Sequence, residues 1–186
     1  MVRAFVSIEF TDPIIVNKVV EIQNLINQSG AKLKLVAPEL LHITLEFLGD
    51  LTLKEIDSVK NIIDTLSFNY FLLDVNRPNV LPNEKHIRVV YCAIEGDVAV
   101  LKDIQRELRV KLKKSGFETD NRSFTPHLTI ARVKSSQNRK ELMLAVHNLS
   151  NIKCGRQKIA SVKLKQSILK PDGPEYSTLH EKIANE

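Results

Sequence analysis

Two short phrases in this 186-residue chain have the residue types for acid–base chemistry: His42-Ile43-Thr44-Leu45 and His127-Leu128-Thr129-Ile130, 85 positions apart. Alternate residues of a strand face the same way. His42 and Thr44 therefore share one face while Ile43 and Leu45 turn to a core, and His127 and Thr129 repeat that geometry. Imidazole titrates near neutrality, so a pair can hold one protonated and one neutral member. In-line cleavage of a phosphodiester needs that division. The neutral ring takes a proton from the attacking hydroxyl or water, and the imidazolium gives one to the departing oxygen. Each transfer is worth roughly 10²–10⁴-fold in rate. Threonine hydroxyls on the same face donate hydrogen bonds to the non-bridging oxygens, where charge builds up. The scheme needs no metal and no other cofactor.

Competing chemistries fit the residues less well. The five histidines are His42, His86, His127, His147 and His180, and none stands three or four positions from another. No H-E-x-x-H or carboxylate cluster accompanies them, and two histidines alone leave a divalent ion under-coordinated. Glu46 shares the His42 face under strict alternation, where it reads as a solvated or salt-bridged strand end. There is no G-x-S-x-G elbow. The two cysteines, Cys92 and Cys154, have neither a zinc-ligand spacing nor a sequence-near histidine and read as idle reduced thiols.

The elements that must present the two phrases follow from periodicity and punctuation. Residues 2–10 alternate as a strand. Asp12-Pro13 opens a helix with Ile15, Val19, Ile22 and Ile26 on its apolar stripe, and Gly30 stops it. Lys32–Val36 is a short strand ended by Pro38, and His42–Leu48 is the next. Thr52-Leu53-Lys54-Glu55 is a capping box for a helix to about Leu66. Phe68–Val75 reads as a strand, Arg77-Pro78-Asn79 and Pro82-Asn83-Glu84 as turns, and Ile87–Ile94 as a central strand. A long helix from about Asp97 runs to Gly116. Pro126 precedes the strand His127–Val133, and a helix capped by Ser135 or Ser136 runs to Leu149. Ile159–Leu169 is a strand, Pro171-Asp172-Gly173-Pro174 a turn, and Glu175–Ile183 the return of a hairpin. Both histidine strands follow an element-breaking proline and precede a helix. The order is α+β with an internal duplication, motif one in residues 1–93 and motif two in 94–186.

Composition sets the outer limits. With 43% hydrophobic and 26% charged residues the chain is an ordinary globular one, long enough for a single domain or two small lobes sharing a core. No apolar run approaches the roughly 18 residues of a membrane span. The N-terminal residues read as a strand rather than a secretory signal, so the expected address is the cytoplasm, with no membrane association. The net charge is +5 and uneven: residues 1–93 hold 9 basic and 11 acidic side chains, residues 94–186 hold 18 and 11. A basic half suits a polyanion such as RNA.

At the two histidine phrases the chain resembles the 2H phosphoesterases, named for paired H-x-[ST]-x motifs, and within them the RNA 2′,3′-cyclic phosphodiesterases, also called 2′-5′ RNA ligases. The resemblance extends over Arg3-Ala4-Phe5-Val6-Ser7-Ile8, Leu41 to Asp50, Arg88-Val89-Val90-Tyr91, Phe124 to Arg132, and Tyr176 with Leu179. It implies a bilobal fold in which two antiparallel sheets face a central cleft with helices outside. It implies metal-independent hydrolysis of a 2′,3′-cyclic phosphate on RNA or a nucleotide to a 2′-phosphate by a monomer. In that scheme His42 resembles the proton donor to the leaving 3′ oxygen and His127 the base that activates water. Thr44 and Thr129 hold the phosphate. Arg132 matches a family arginine that helps bind the anion, although strict alternation turns it away from His127, so a strand bend or another route must bring it in. Phe124 offers a ring for base stacking. His86, His147 and His180 match nothing catalytic. Reversible 2′-5′ ligation of RNA ends and RNA binding without turnover stand as alternatives.

Overall fold

The computed structural model describes residues 1–171 and 173–185. In chain order the elements are β1 (Val2–Glu9), α1 (Pro13–Asn27), β2 (Leu33–Leu35), a 3-10 turn at Pro38–Leu40, β3 (His42–Leu51), α2 (Leu53–Asp64), β4 (Phe71–Asn83), β5 (His86–Gly96), α3 (Val98–Lys114), β6 (His127–Val133), α4 (Arg139–Asn148), β7 (Lys153–Ile159), β8 (Ser161–Lys170) and β9 (Gly173–Ile183). They build two antiparallel sheets. The first has the order β3-β1-β8-β9, the second β2-β6-β5-β4-β7. Helices α2 and α3 back the first sheet, and α1 backs the second with α4 packed against it.

Helix ends follow the local chemistry. The Asp12 carboxylate accepts from the Ile14 and Ile15 amides at 2.9 and 3.3 Å. Thr52 and Glu55 close both arms of the capping box. Such caps are worth about 1 kcal/mol each. The α1 stripe of Ile15, Val19, Ile22 and Ile26 is wholly buried, and each such side chain contributes roughly 1.5–3 kcal/mol by leaving water. One continuous hydrophobic core runs under both sheets, so each sheet has one face on the core and one free.

The chain ends meet in the first sheet, where β1 lies between β3 and the late strand β8. The second motif's β6 lies between β2 and β5, both from the earlier part of the chain. Motif one and motif two are thus each held by strands from distant sequence.

Four local expectations need correction. β4 does not stop before Arg77-Pro78-Asn79 but runs to Asn83 with a register shift between Val75 and Pro78. β7 covers its other edge only as far as Asn76, so Pro78 has no ladder partner there to disappoint. The reversal falls at Glu84-Lys85. Residues 153–159 form β7, a strand that its Lys-Cys-Gly-Arg-Gln-Lys run conceals. The expected strand from Ile159 is β8, beginning at Ser161. Helix α4 starts from Asn138, in the left-handed region at φ 52°, rather than from a serine cap. The turn expected at Pro171–Pro174 includes Asp172, which lies outside the described residues.

Candidate active site

His42 and His127 are presented by the same device. Each ring turns back on its own chain: His42 Nδ1 meets the Leu40 carbonyl at 2.6 Å, and His127 Nδ1 meets the Thr125 carbonyl at 2.7 Å. A carbonyl only accepts, so each Nδ1 carries a proton and each Nε2 is the nitrogen left for chemistry. The prolines explain why those carbonyls are in place. Pro38 opens the 3-10 turn before His42, and Pro126 holds Thr125 extended before His127. Thr44 and Thr129 follow on the same faces, both half-buried. Strands β3 and β6 approach within 8 Å between Cα atoms, so the two histidine strands run together where the sheets meet.

Both strands also carry a β-bulge at the same place. β3 pairs with β1 as Ser7↔Thr44 and then Val6↔Glu46, making Leu45 an extra residue. β6 pairs with β5 as Tyr91↔Thr129 and then Val90↔Ala131, making Ile130 the extra residue. A bulge resets the alternation. Leu45 and Glu46 both turn inward, as do Ile130 and Ala131. Phe47 and Arg132 come next, and both return to the face of their histidine. This is the bend that Arg132 requires, and the Arg132 charge is felt at both His42 and Tyr176. It also removes Glu46 from the His42 face. Glu46 is buried on the helix side, bound by Arg109 Nε and the Asp120 amide at 2.8 and 2.9 Å.

Comparison with known proteins matches residues 4–181 to the family model described as the AKAP7 2'5' RNA ligase-like domain. The chain is 35% identical over 180 residues to the RNA 2',3'-cyclic phosphodiesterase of Methanothermobacter thermautotrophicus, covering 96% of each. The chain belongs to the 2′-5′ RNA ligase-like family of 2H phosphoesterases. Solved structures share the fold. TT0787 of Thermus thermophilus superposes with a TM-score of 0.81 at 24% identity, covering 97% of both chains. Escherichia coli LigT complexed with 3'-AMP gives 0.77 at 18% identity, covering 100% of this chain and 98% of that one.

The two half-sites of this 2H phosphoesterase differ in what surrounds the histidine. The His42 ring is boxed by Phe5 and Tyr176, with centroids 5.2 and 5.4 Å away. Burial pushes its pKa below the ordinary 6.5. The Leu40 carbonyl and the Glu9 charge oppose that, and the Lys165 and Arg132 charges reinforce it. Glu9 is the strand partner of His42. Burial works against its ionisation, but hydrogen bonds from Lys163 and Lys165 outweigh that and hold the carboxyl below the usual range. The Lys163 bond is 2.6 Å. Lys165, only 8% exposed, also donates to Thr178 at 3.0 Å. Among the described residues His127 has a single aromatic neighbour, Tyr91, at 5.7 Å.

Sequence reasoning missed four features here. Phe124, expected as the stacking ring, is half-buried and packs on the core, whereas Phe47 is 62% exposed beside Phe5. The matching burial pattern of the two bulged strands becomes visible only when the motifs are aligned as far as their sixth residue. Two buried glutamines support the bulges. Gln23 of α1 donates to the Ile130 carbonyl at 2.8 Å, and Gln105 of α3 donates to the Leu45 carbonyl at 3.3 Å. A helix from behind the sheet thus gives each bulge a side-chain donor, which at Ile130 joins the Val36 amide bonded at 2.9 Å. A lone glutamine on an apolar helix stripe was the available signal. The Glu9–Lys163–Lys165 cluster had none, because Glu9 lies more than 150 residues from both lysines.

Proposed function

We propose that this protein hydrolyses 2′,3′-cyclic phosphates at RNA ends or on nucleotides to 2′-phosphomonoesters, without a metal, using His42 and His127 as acid and base. The observation that carries the reading is the repeated presentation of the rings: on two converging strands, each Nδ1 is tied to the carbonyl two residues back and each Nε2 is left for proton transfer. The name carried by the Methanothermobacter relative supports the substrate. The 3'-AMP complex of LigT supports a nucleotide in the shared fold.

In this reading water attacks phosphorus as His127 Nε2 takes its proton, and the bond from phosphorus to the 3′ oxygen breaks as His42 Nε2 protonates that oxygen. Thr44 and Thr129 donate to the non-bridging oxygens, where charge develops. Arg132 neutralises the anion, and its planar fork suits a phosphoryl group. Phe47 takes the base-stacking role expected of Phe124. An imidazolium boxed by aromatic rings is a stronger acid than one in water, and the arriving phosphate anion favours its charging. We further infer that the protein acts as one bilobal domain and as a cytoplasmic monomer. The two buried free thiols support a reducing compartment, and all the reacting groups lie on one chain. Among the described residues no helix is long and apolar enough to cross a membrane.

Product analysis tests the reading. A short RNA ending in a 2′,3′-cyclic phosphate should be converted to a 2′-phosphate end in the presence of EDTA. A 3′-phosphate product, or turnover abolished by EDTA, overturns it. The family description favours a second reading, joining of RNA ends through a 2′-5′ linkage by the reverse of the same steps. Absence of any joined product from high concentrations of paired ends dismisses it.

A further inference from the structure

Lys34 of β2 stands directly opposite Arg132 of β6. Opposite residues of an antiparallel pair share a face, so two cations lie side by side on the free face of the second sheet. Both are exposed. Among the described residues neither Lys34 nor Arg132 enters an ion pair, unlike Arg109, Lys163 and Lys165 among others. Like charges placed opposite each other destabilise a sheet, and an anion between or beside them relieves that cost. Lys34 also reaches across the cleft. A side chain at Gly173, the first residue of β9, would begin 3.6 Å from its ammonium nitrogen. The Arg132 charge acts on His42 and Tyr176, while Lys34 sits one strand further out, about 4.8 Å in backbone spacing.

Resting on the function proposed above, we infer that Lys34 holds the next phosphate of the RNA. That group is the 3′-5′ phosphodiester joining the terminal nucleotide to the chain. Arg132 serves the reactive phosphate and Lys34 its upstream neighbour, one sugar away. Lys34 thereby makes the protein favour an RNA end over a free cyclic mononucleotide. An ammonium fits this task, since a phosphodiester in a flexible strand needs charge rather than a fixed fork.

The test uses the full chain and two ligand pairs. Binding is measured with adenosine 2′-monophosphate and with the ApA dinucleotide ending in a 2′-phosphate. Turnover is measured with the corresponding 2′,3′-cyclic compounds. The wild type should prefer the dinucleotide in both assays. Lys34→Gln should cut that preference about tenfold, Lys34→Arg should restore most of it, and the salt dependence of dinucleotide binding should become shallower by about 0.7 in log–log slope, one single-strand phosphate contact. An equal loss on both ligands would place Lys34 on the reactive phosphate and overturn the inference, as would an unchanged preference. If the wild type turns over neither cyclic compound, the proposed reaction fails, while the binding ratio still decides the Lys34 subsite.

Discussion

Strands β3 and β6 have one backbone and two environments. Both present histidine, threonine and a bulge at the same spacing, and both tie Nδ1 to a carbonyl two residues back. Their neighbours diverge. Beside β3, the β1 strand places Glu9, Ser7 and Phe5 opposite His42, Thr44 and Phe47. Beside β6, the β5 strand places Ala93, Tyr91 and Val89 opposite His127, Thr129 and Arg132. The first half-site is packed, aromatic and charged underneath, and the second is open and apolar underneath. Symmetry of the main chain gives both imidazoles the same tie to a carbonyl and the same free Nε2. In the proposed reaction the division of acid from base then has to come from side chains that the duplication does not share, and so does the proposed division of phosphate from nucleobase, Arg132 against Phe47.

The largest effect expected on this comparison comes from removing either ring. His42→Ala and His127→Ala should each lower kcat on a 2′,3′-cyclic nucleotide by about 10²–10⁴-fold while the thermal unfolding curve stays in place. Retained turnover in either variant would break the equivalence of the two strands. The sixth position should separate them. Arg132→Ala should lower kcat by about 10²-fold, because it removes charge stabilisation at the reacting centre. Phe47→Ala should instead raise KM, by the roughly 1–3 kcal/mol of one stacked base, and should do so less for a substrate with a small pyrimidine than for adenosine. Similar kinetic changes in both variants would mean that the two bulges serve the same purpose.

Much of this was readable from the residues alone. The paired motifs, the prolines before them, the Asp12 and Thr52 caps and the strand His127–Val133 all rest on interactions within a few residues, where type and spacing suffice. The bulges do not. Ile130-Ala131 and Leu45-Glu46 look like ordinary strand continuations, and only their pairing with β5 and β1 reveals an extra residue. That one-residue insertion reverses the face of every later side chain. It explains why alternation turned Arg132 away from His127, kept Glu46 on the His42 face and gave no role to Phe47. β7 was hidden for a different reason: four of its seven residues are Lys, Gly, Arg and Lys, and its place in the sheet comes from pairing with β4, some 80 positions earlier.

The glutamines sharpen the comparison at moderate cost. Gln23→Leu leaves the Ile130 carbonyl with only the Val36 amide, 2.9 Å away, and takes the last side-chain donor from the bulge that aims Arg132. Gln105→Leu does the same to the bulge that aims Phe47. Each should destabilise the fold by about 0.5–1.5 kcal/mol, the net worth of a lost hydrogen bond. Their kinetic signatures should differ: Gln23→Leu should act on kcat through Arg132, and Gln105→Leu on KM through Phe47. Glu46→Ala acts on the same bulge, because the Gln105 amide also donates to the Glu46 carboxylate at 3.3 Å. It strips the partner from the part-exposed Arg109, so it should lower Tm by the roughly 1.5–3 kcal/mol of a hydrogen bond to a charged group and raise KM together with Gln105→Leu.

The smallest effect is the most specific to the packed half-site. His42 must be protonated to serve as the donor, so kcat/KM should fall as pH rises through its pKa in the free protein, which burial places below 6.5. Glu9 and Lys165 act on that ring in opposite senses, the carboxylate favouring the imidazolium and the ammonium opposing it. Among the described residues Arg132 is the other charge acting on the ring, and Tyr176 is a titratable neighbour. Glu9→Gln removes the favourable charge, so the falling limb should move to lower pH. Lys165→Met removes an unfavourable charge and leaves Glu9 less compensated, so the limb should move to higher pH. A substitution beside the other ring, Tyr91→Phe, keeps the aromatic face of His127 and should leave that limb where it is. Movement of the limb with Tyr91→Phe but not with Glu9→Gln or Lys165→Met would assign the donor to His127 and exchange the roles of the two strands.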